Sequence, residues 1–263
     1  MRRSFYFVKM QRGIIGYKMN ENIIKDVRAK VYTWTGDIQK IHDNFCTNAA
    51  DILNNESTSS DNMSTFKFLS WLVVEIETSD GILGIGNAAL SPKPCKSVID
   101  NYLKSSLIGE SIWDYEHLWQ KMYRETLAWG RKGVGMVAIS AIDIAIWDAL
   151  GKAAKQPVYK LLGGQTKSKL PCYASKLYSQ SLNTLADEAK LYLDQGFKSM
   201  KLRFGWGPKD GAEGMQKNIE LIKTVRSVVG ENVDLMADVY MGWTFEYAKR
   251  MMRLIDNENL RWL

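Results

Sequence analysis

The sequence predicts two textures in tandem: an α+β domain, then a run of alternating strands and helices of the kind that builds a parallel sheet. Three observations lead there. Two apolar strands joined by a tight turn are followed by long amphipathic helical segments. A turn-rich break, "LLGGQTKSKLP", falls at residues 161–171. Beyond it, strand-like and helix-like segments alternate with a period of about 30 residues, the rhythm of a β/α barrel or a doubly wound sheet.

Taken in order, residues 1–18 carry Arg2, Arg3, Lys9, Arg12 and Lys18 and no acid, so they hold five of the six net positive charges of the chain. The rest is close to neutral, which excludes the diffuse basic surface of a nucleic-acid-binding protein. This stretch lacks the apolar core and small-residue cleavage site of a secretory signal. It is expected to be a basic extension, with Met19 the more natural beginning. "DVRAKVYTW" (26–34) and "WLVVEIETSDGILGIGNAAL" (71–90) read as strands, the latter two meeting at the "SDG" turn. Between them, residues 37–66 are rich in Asn, Ser, Thr and Asp, and a connection that long is expected to be a functional flap or an unstructured insert. "GILGIG" (81–86) superficially looks like a dinucleotide loop. It sits inside a hairpin and no helix follows it, so the nucleotide reading fails.

"SIWDYEHLWQKMYRETLAW" (111–129) has a serine start and apolar residues at three-to-four spacing, as a core-facing helix needs. "GVGMVAISAIDIAIWDALGKAAKQ" (133–156) is apolar on most faces and is expected to be buried between layers until Pro157 breaks it. Its acids at helical spacing argue for a core helix, and no uninterrupted apolar run approaches the roughly 20 residues of a membrane span. After the break come strand "LPCYAS", helix "NTLADEAKLYLDQG", strand "FKSMKLRF", helix "DGAEGMQKNIELIKTVRSVVG", strand "VDLMADV", helix "TFEYAKRMMRLIDNE" and a last strand, "LRWL". In either parallel architecture the chemistry belongs at the C-terminal ends of the strands. That rule points to Tyr173 to Lys176, Lys201 to Arg203, and Asp238 to Tyr240.

Asp238 ends an otherwise apolar strand. It is either an oxygen ligand facing a central cavity or a cap for the next helix, although Thr244 already suits the cap. Period-two alternation places Lys201 and Arg203 on one face and Leu202 on the other. Two cations side by side call for an anionic substrate, for pairing with Asp238 on the neighbouring strand, or for solvent. Arg203 cannot act as a base, whereas Lys201 could. Cys46, Cys95 and Cys172 form neither a disulfide framework nor a zinc pattern and suit a reducing cytoplasm. His42 and His117, the two histidines, each read as structural or surface residues.

Together "AISAIDIAIWDALGKAAKQPVYKLLGG" (138–164), "KLRFGWGPKDG" (201–211) and "VDLMADVYMGW" (233–243) resemble the mandelate racemase/muconate-lactonizing branch of the enolase superfamily, over nearly everything from about residue 20 onward. Within it, the long 37–66 segment, the "WGPKDG" loop and the aromatic and methionine after the strand-end acid are most similar to the acid-sugar, rhamnonate-type dehydratases. The resemblance implies an α+β capping domain (19–165) followed by the first part of a (β/α) TIM-like barrel (166–263: three β/α units and the start of the fourth strand), an incomplete barrel. It implies a hydro-lyase that removes the proton α to a carboxylate of an acid-sugar substrate, giving an enediolate that loses a β-hydroxyl and yields a 2-keto-3-deoxy acid. Mg2+ would be held by acids on strands three, four and five, with Asp238 as the first. Lys201 and Arg203 fall where some relatives carry a pair of lysines, so they have an electrostatic or substrate-carboxylate role, and the arginine argues against a lysine-based racemase or epimerase.

In relatives with that departure the base is a histidine on later strands, and neither histidine of this chain can be that residue. His42, Asn48 and Tyr240 are expected to touch substrate. With the other ligands and the base expected beyond Leu263, the 263-residue chain is expected to be inactive alone. An isomerase of the same branch (racemase, epimerase or cycloisomerase) or a non-catalytic truncated remnant is the alternative. A cytoplasmic location, homo-oligomers in the full-length family, and no membrane or nucleic-acid partner complete the expectation.

Overall fold

A computed structural model describes residues 22–35, 46–49 and 70–263. The chain divides into two compact units, with the break after Ser168; the described residues 46–49 group with the second. Sequence reasoning placed that short segment in the first domain, because a stretch between two paired strands is ordinarily part of their domain.

In the first unit, β1 (Ile24–Thr33), β2 (Ser70–Thr78) and β3 (Leu83–Ala88) form an antiparallel sheet in the order β1-β2-β3. Alternation sets its two faces. Ile24, Val27, Leu72, Val74 and Ile76 are buried, while Arg28, Glu75 and Glu77 form an ion-pair ladder on the other face. Residues 92–107 are helical, with α1 (Pro92–Val98) running through a π turn (Ile99–Leu103) into α2 (Lys104–Leu107). Sequence reasoning did not assign this helix, whose start holds two prolines.

Ser111 accepts a hydrogen bond from the Trp113 N–H and opens a short 3-10 turn before α3 (Tyr115–Glu125). α4 (Val134–Ala154) lies against the sheet, burying Ala138, Ala141, Ile142, Ala145 and Ala149. It is 21 residues long, and an 18-residue window of it has a mean hydropathy of 1.7, enough by length and composition alone to cross a membrane. Inside the fold, 56% of that window is buried, as a core helix requires. Gly84 and Gly86 explain the "GILGIG" motif: a Cβ on either would sit 2.1 Å from the Ala145 carbonyl oxygen or 2.0 Å from that of Ala141. These glycines let helix and sheet touch. α4 stops two residues before Pro157, at Lys155 in the left-handed region, and α5 (Val158–Leu161) follows.

In the second unit, β4 (Ala174–Ser175), β5 (Ser199–Arg203) and β6 (Asp234–Asp238) are parallel neighbours, and α6 (Leu182–Asp194), α7 (Gly211–Val229) and α8 (Phe245–Leu254) follow them in turn. These are three β/α units. Thr244 opens α8 as the sequence indicated, and Ser181, not singled out in the sequence, opens α6; each accepts a backbone N–H three residues on. The final "LRWL" pairs with β6 through one parallel bridge, Leu235 to Leu260, and through the Ala237 N–H to the Trp262 carbonyl. β4 is only two residues long, shorter than "LPCYAS" suggested.

Candidate functional site at the strand ends

In β5 and β6, in-register parallel pairing sets Arg203 beside Asp238 and Lys201 beside Met236. The pleat turns the side chains of Lys201, Arg203 and Asp238 to one side, and all three meet. Asp238 Oδ2 accepts from Lys201 Nζ at 2.9 Å and lies 3.1 Å from Arg203 Nη1, while Oδ1 accepts from the Tyr240 N–H at 2.9 Å. Both cations pair with Asp238, and Thr244 takes the cap.

Lys201 and Arg203 side chains are 7% and 13% exposed, against 25% for Asp238. Charges this buried need each other, since desolvation of any one alone costs several kcal/mol. Burial, the largest single influence on the Asp238 carboxyl, pushes its pKa up. The Lys201 hydrogen bond, the Tyr240 N–H and the two positive charges outweigh burial and hold it below the usual aspartate range.

Arg203 is held by two tyrosine rings. Its guanidinium carbon lies 4.9 Å from the Tyr178 ring centroid and 5.3 Å from that of Tyr240, two cation–π contacts. Its Nε is buried without a hydrogen-bond partner. Burial is also the main reason the Tyr240 phenol titrates above the ordinary tyrosine value. Leu177, Tyr240 and Met241 all have left-handed backbone (φ 54°, 43° and 62°), and they lie in the loops after β4 and β6. Non-glycine residues in that region carry roughly 1–3 kcal/mol of strain each, and such strain concentrates at functional sites. The Leu177 carbonyl uses its turn to accept the Arg203 N–H at 2.9 Å.

A second set of contacts ties the loops together. Buried Asn218 on α7 accepts from the Gly205 and Trp206 N–H groups and donates to the Trp206 carbonyl, and the Trp243 indole donates to the same carbonyl. Thr47 donates its N–H to the Phe204 carbonyl, and its hydroxyl lies where a Cβ on Gly242 would be, 2.2 Å away. Buried Asn48 also lies against the loop after β6, its backbone nitrogen 2.8 Å from where a Cβ on Gly242 would be. Sequence reasoning missed Tyr178, Asn218 and Thr47. Glycines at 207 and 242, just past two strand ends, were the available signal of a segment packed closely there. His42 lies outside the described residues, and His117 is an exposed residue of α3, in the other unit.

Residues 53–163 match the family model "Mandelate racemase / muconate lactonizing enzyme, N-terminal domain", and residues 184–263 match "Enolase C-terminal domain-like". The chain belongs to the mandelate racemase/muconate lactonizing enzyme family. Its two units are the capping domain and part of the barrel domain of that enolase-superfamily fold. An L-rhamnonate dehydratase of Saccharopolyspora erythraea is 37% identical over 74% of this chain and 47% of its own length. An arabinonate dehydratase of Saccharolobus solfataricus is 39% identical over 70% of this chain and 49% of its own. The L-rhamnonate dehydratase structure from Gibberella zeae superposes with a TM-score of 0.78 at 28% identity, covering 93% of this chain and 58% of that one. The chain thus spans about half the length of the curated relatives it matches.

A second structure of the Gibberella zeae enzyme, at 27% identity over 93% of this chain and 60% of that one with a TM-score of 0.78, is a complex with Mg. Here the strand ends supply one carboxylate, and both its oxygens already accept hydrogen bonds. Among the described residues no three of His, Cys, Asp and Glu cluster to hold a metal ion. The described residues therefore do not make a magnesium site by themselves.

Proposed function

We propose that this chain carries the capping domain and first barrel strands of a sugar-acid dehydratase, acting on an aldonate by α-proton removal and β-elimination of water to a 2-keto-3-deoxy acid. The observation that carries the reading is the Lys201–Asp238–Arg203 cluster at the strand ends, in a chain whose similar relatives include an L-rhamnonate and an arabinonate dehydratase. Arginine at the second cationic position disfavours a lysine-based isomerase, because guanidinium cannot give up its proton near neutral pH.

In this reading Arg203, held by Tyr178 and Tyr240 and with Nε unused, presents a fixed fork to the substrate carboxylate, and Lys201 adds a second positive charge. Removing the α-proton builds negative charge on that carboxylate, so cations placed beforehand stabilise the charged intermediate more than the substrate. Tyr240, Asn48 and His42 would contact the hydroxyls of the sugar acid. Magnesium, with Asp238 as one oxygen ligand, belongs to the reading and needs further ligands besides the residues described. The 263-residue chain alone would then not turn over. Three widely spaced cysteines suit a reducing cytoplasm, and homo-oligomerisation is proposed for the longer protein.

The test is to assay L-rhamnonate, arabinonate and a panel of other aldonates with Mg2+, scoring 2-keto-3-deoxy product. The purified chain should be inactive alone and active when mixed with a polypeptide carrying the remaining barrel strands of the Saccharopolyspora erythraea relative. Turnover by the chain alone would overturn the inactivity. A folded, stably associated mixture that dehydrates no aldonate would overturn the dehydratase reading.

A further inference from the structure

The capping domain holds a cavity that the strand-end chemistry does not use. It has a volume of about 290 Å³ and lies between α3 and α4, lined by Tyr115, Glu116 and Trp119 from one helix and Asp143 and Trp147 from the other. Spacing explains the lining: positions 115 and 119, and 143 and 147, are each one helical turn apart and share a face. The Tyr115 and Trp147 rings pack with centroids 4.6 Å apart. Three aromatic rings thus wall a space that also receives two carboxylates.

Those carboxylates are uncompensated. Among the described residues neither Asp143 nor Glu116 forms a hydrogen bond or an ion pair, whereas nearby Asp148 is paired with Lys152 and Glu110 with Lys121. Burial pushes the Asp143 carboxyl above its ordinary value, and the Glu116 charge adds to that push. Asp143 is half-buried and Glu116 exposed, so the cost of standing without a cation falls mainly on Asp143, and a bound positive charge would relieve it. Aromatic walls favour a soft, weakly hydrated cation over a metal ion, because ring faces attract positive charge and bury the attached alkyl groups together.

We propose that this cavity binds a compact organic cation carrying an alkylammonium group, with the ammonium against Asp143 and Glu116 and the alkyl part against Tyr115, Trp119 and Trp147. The site is independent of the dehydratase reading, since all five residues belong to the capping domain.

Choline and n-butylammonium chloride are titrated into the purified chain by ligand-observed NMR, with 3,3-dimethylbutan-1-ol as the uncharged isostere of choline and sodium chloride at matched ionic strength. The two cations should bind saturably and the alcohol should not. Asp143→Asn should weaken choline binding at least about tenfold, as loss of a charge-assisted contact does, and Glu116→Gln should weaken it less. Trp119→Leu should also weaken it while leaving the carboxylates in place. Far-UV circular dichroism of each variant confirms the fold; Asp143→Asn removes an unpaired charge and should raise stability. No saturable binding, equal binding of the alcohol, or affinity unchanged in folded Asp143→Asn and Glu116→Gln proteins would each overturn the proposal.

Discussion

Replacing Asp238 by alanine tests whether the strand-end cluster is the interdependent buried unit its geometry indicates. The substitution leaves Lys201 and Arg203, 7% and 13% exposed, as adjacent like charges with no carboxylate between them. Exposed ion pairs contribute about 0–1 kcal/mol, while removing one partner of a buried pair costs about 3–5 kcal/mol. Asp238 is itself one-quarter exposed, which places the expected loss at the lower end, about 3 kcal/mol. Urea unfolding followed by tryptophan fluorescence is the assay, because Trp206 and Trp243 are tied to the loops beside the cluster. With a slope of about 1–3 kcal/mol per molar urea, the midpoint of the second unit should fall by roughly 1–3 M. Lys201→Met in the Asp238→Ala background should restore at least about 1 kcal/mol, since it removes one of the two stranded charges. A cost below about 1 kcal/mol for Asp238→Ala, with no recovery in the double variant, would refute the reasoning and make the contact an ordinary surface bridge.

Three further expectations follow from the same coordinates. The folded-state pKa of Asp238 lies below its ordinary value of 3.8, so its stabilisation is complete above that value and is lost as pH falls below it. The stability gap between wild type and Asp238→Asn should therefore narrow in acid between about pH 5 and about pH 2; a gap constant across that range would contradict the shift. Gly86→Ala would push a methyl to 2.0 Å from the Ala141 carbonyl oxygen and should cost about 3 kcal/mol by overpacking, against about 0.5 kcal/mol or less for the exposed neighbour Asn87→Ala. Arg226, 7% exposed, donates to the carbonyls of Gly230, Val233, Glu258 and Asn259. Arg226→Leu should cost about 3 kcal/mol and speed hydrogen exchange at Arg261, whose N–H bonds to Leu235.

Local signals carried much of the fold. Ser111 and Thr244 are read as helix starts because a hydroxyl beside an apolar-periodic run has one strong use, accepting an orphan N–H; the Ser181 cap of α6 lay two residues before the helix as read from the sequence. The helix at 92–107 was not assigned, since two prolines and a polar surround resemble a loop until Cys95, Ile99 and Leu103 are seen packed on the first core. What Gly84 and Gly86 of "GILGIG" do, letting the sheet meet the backbone at Ala141 and Ala145, needed the partner helix to be seen. Tyr178 carries no sequence mark that separates it from the other tyrosines; it matters because Arg203 lies over its ring.

By itself the sequence determined the two textures, the β/α rhythm, the caps at Ser111 and Thr244, and the sharing of one strand face by Lys201 and Arg203, because periodicity and capping are properties of a few consecutive residues. Only the tertiary structure decided that both cations converge on a single oxygen of Asp238, that two tyrosines hold the arginine, and that residues 46–49 rest on the loops after β5 and β6. It also set Asp143 and Glu116 together in an aromatic cavity. Each of these depends on the register of parallel strands or on the docking of distant elements, and a charge finds its partner through space once burial has made leaving it unpaired too costly.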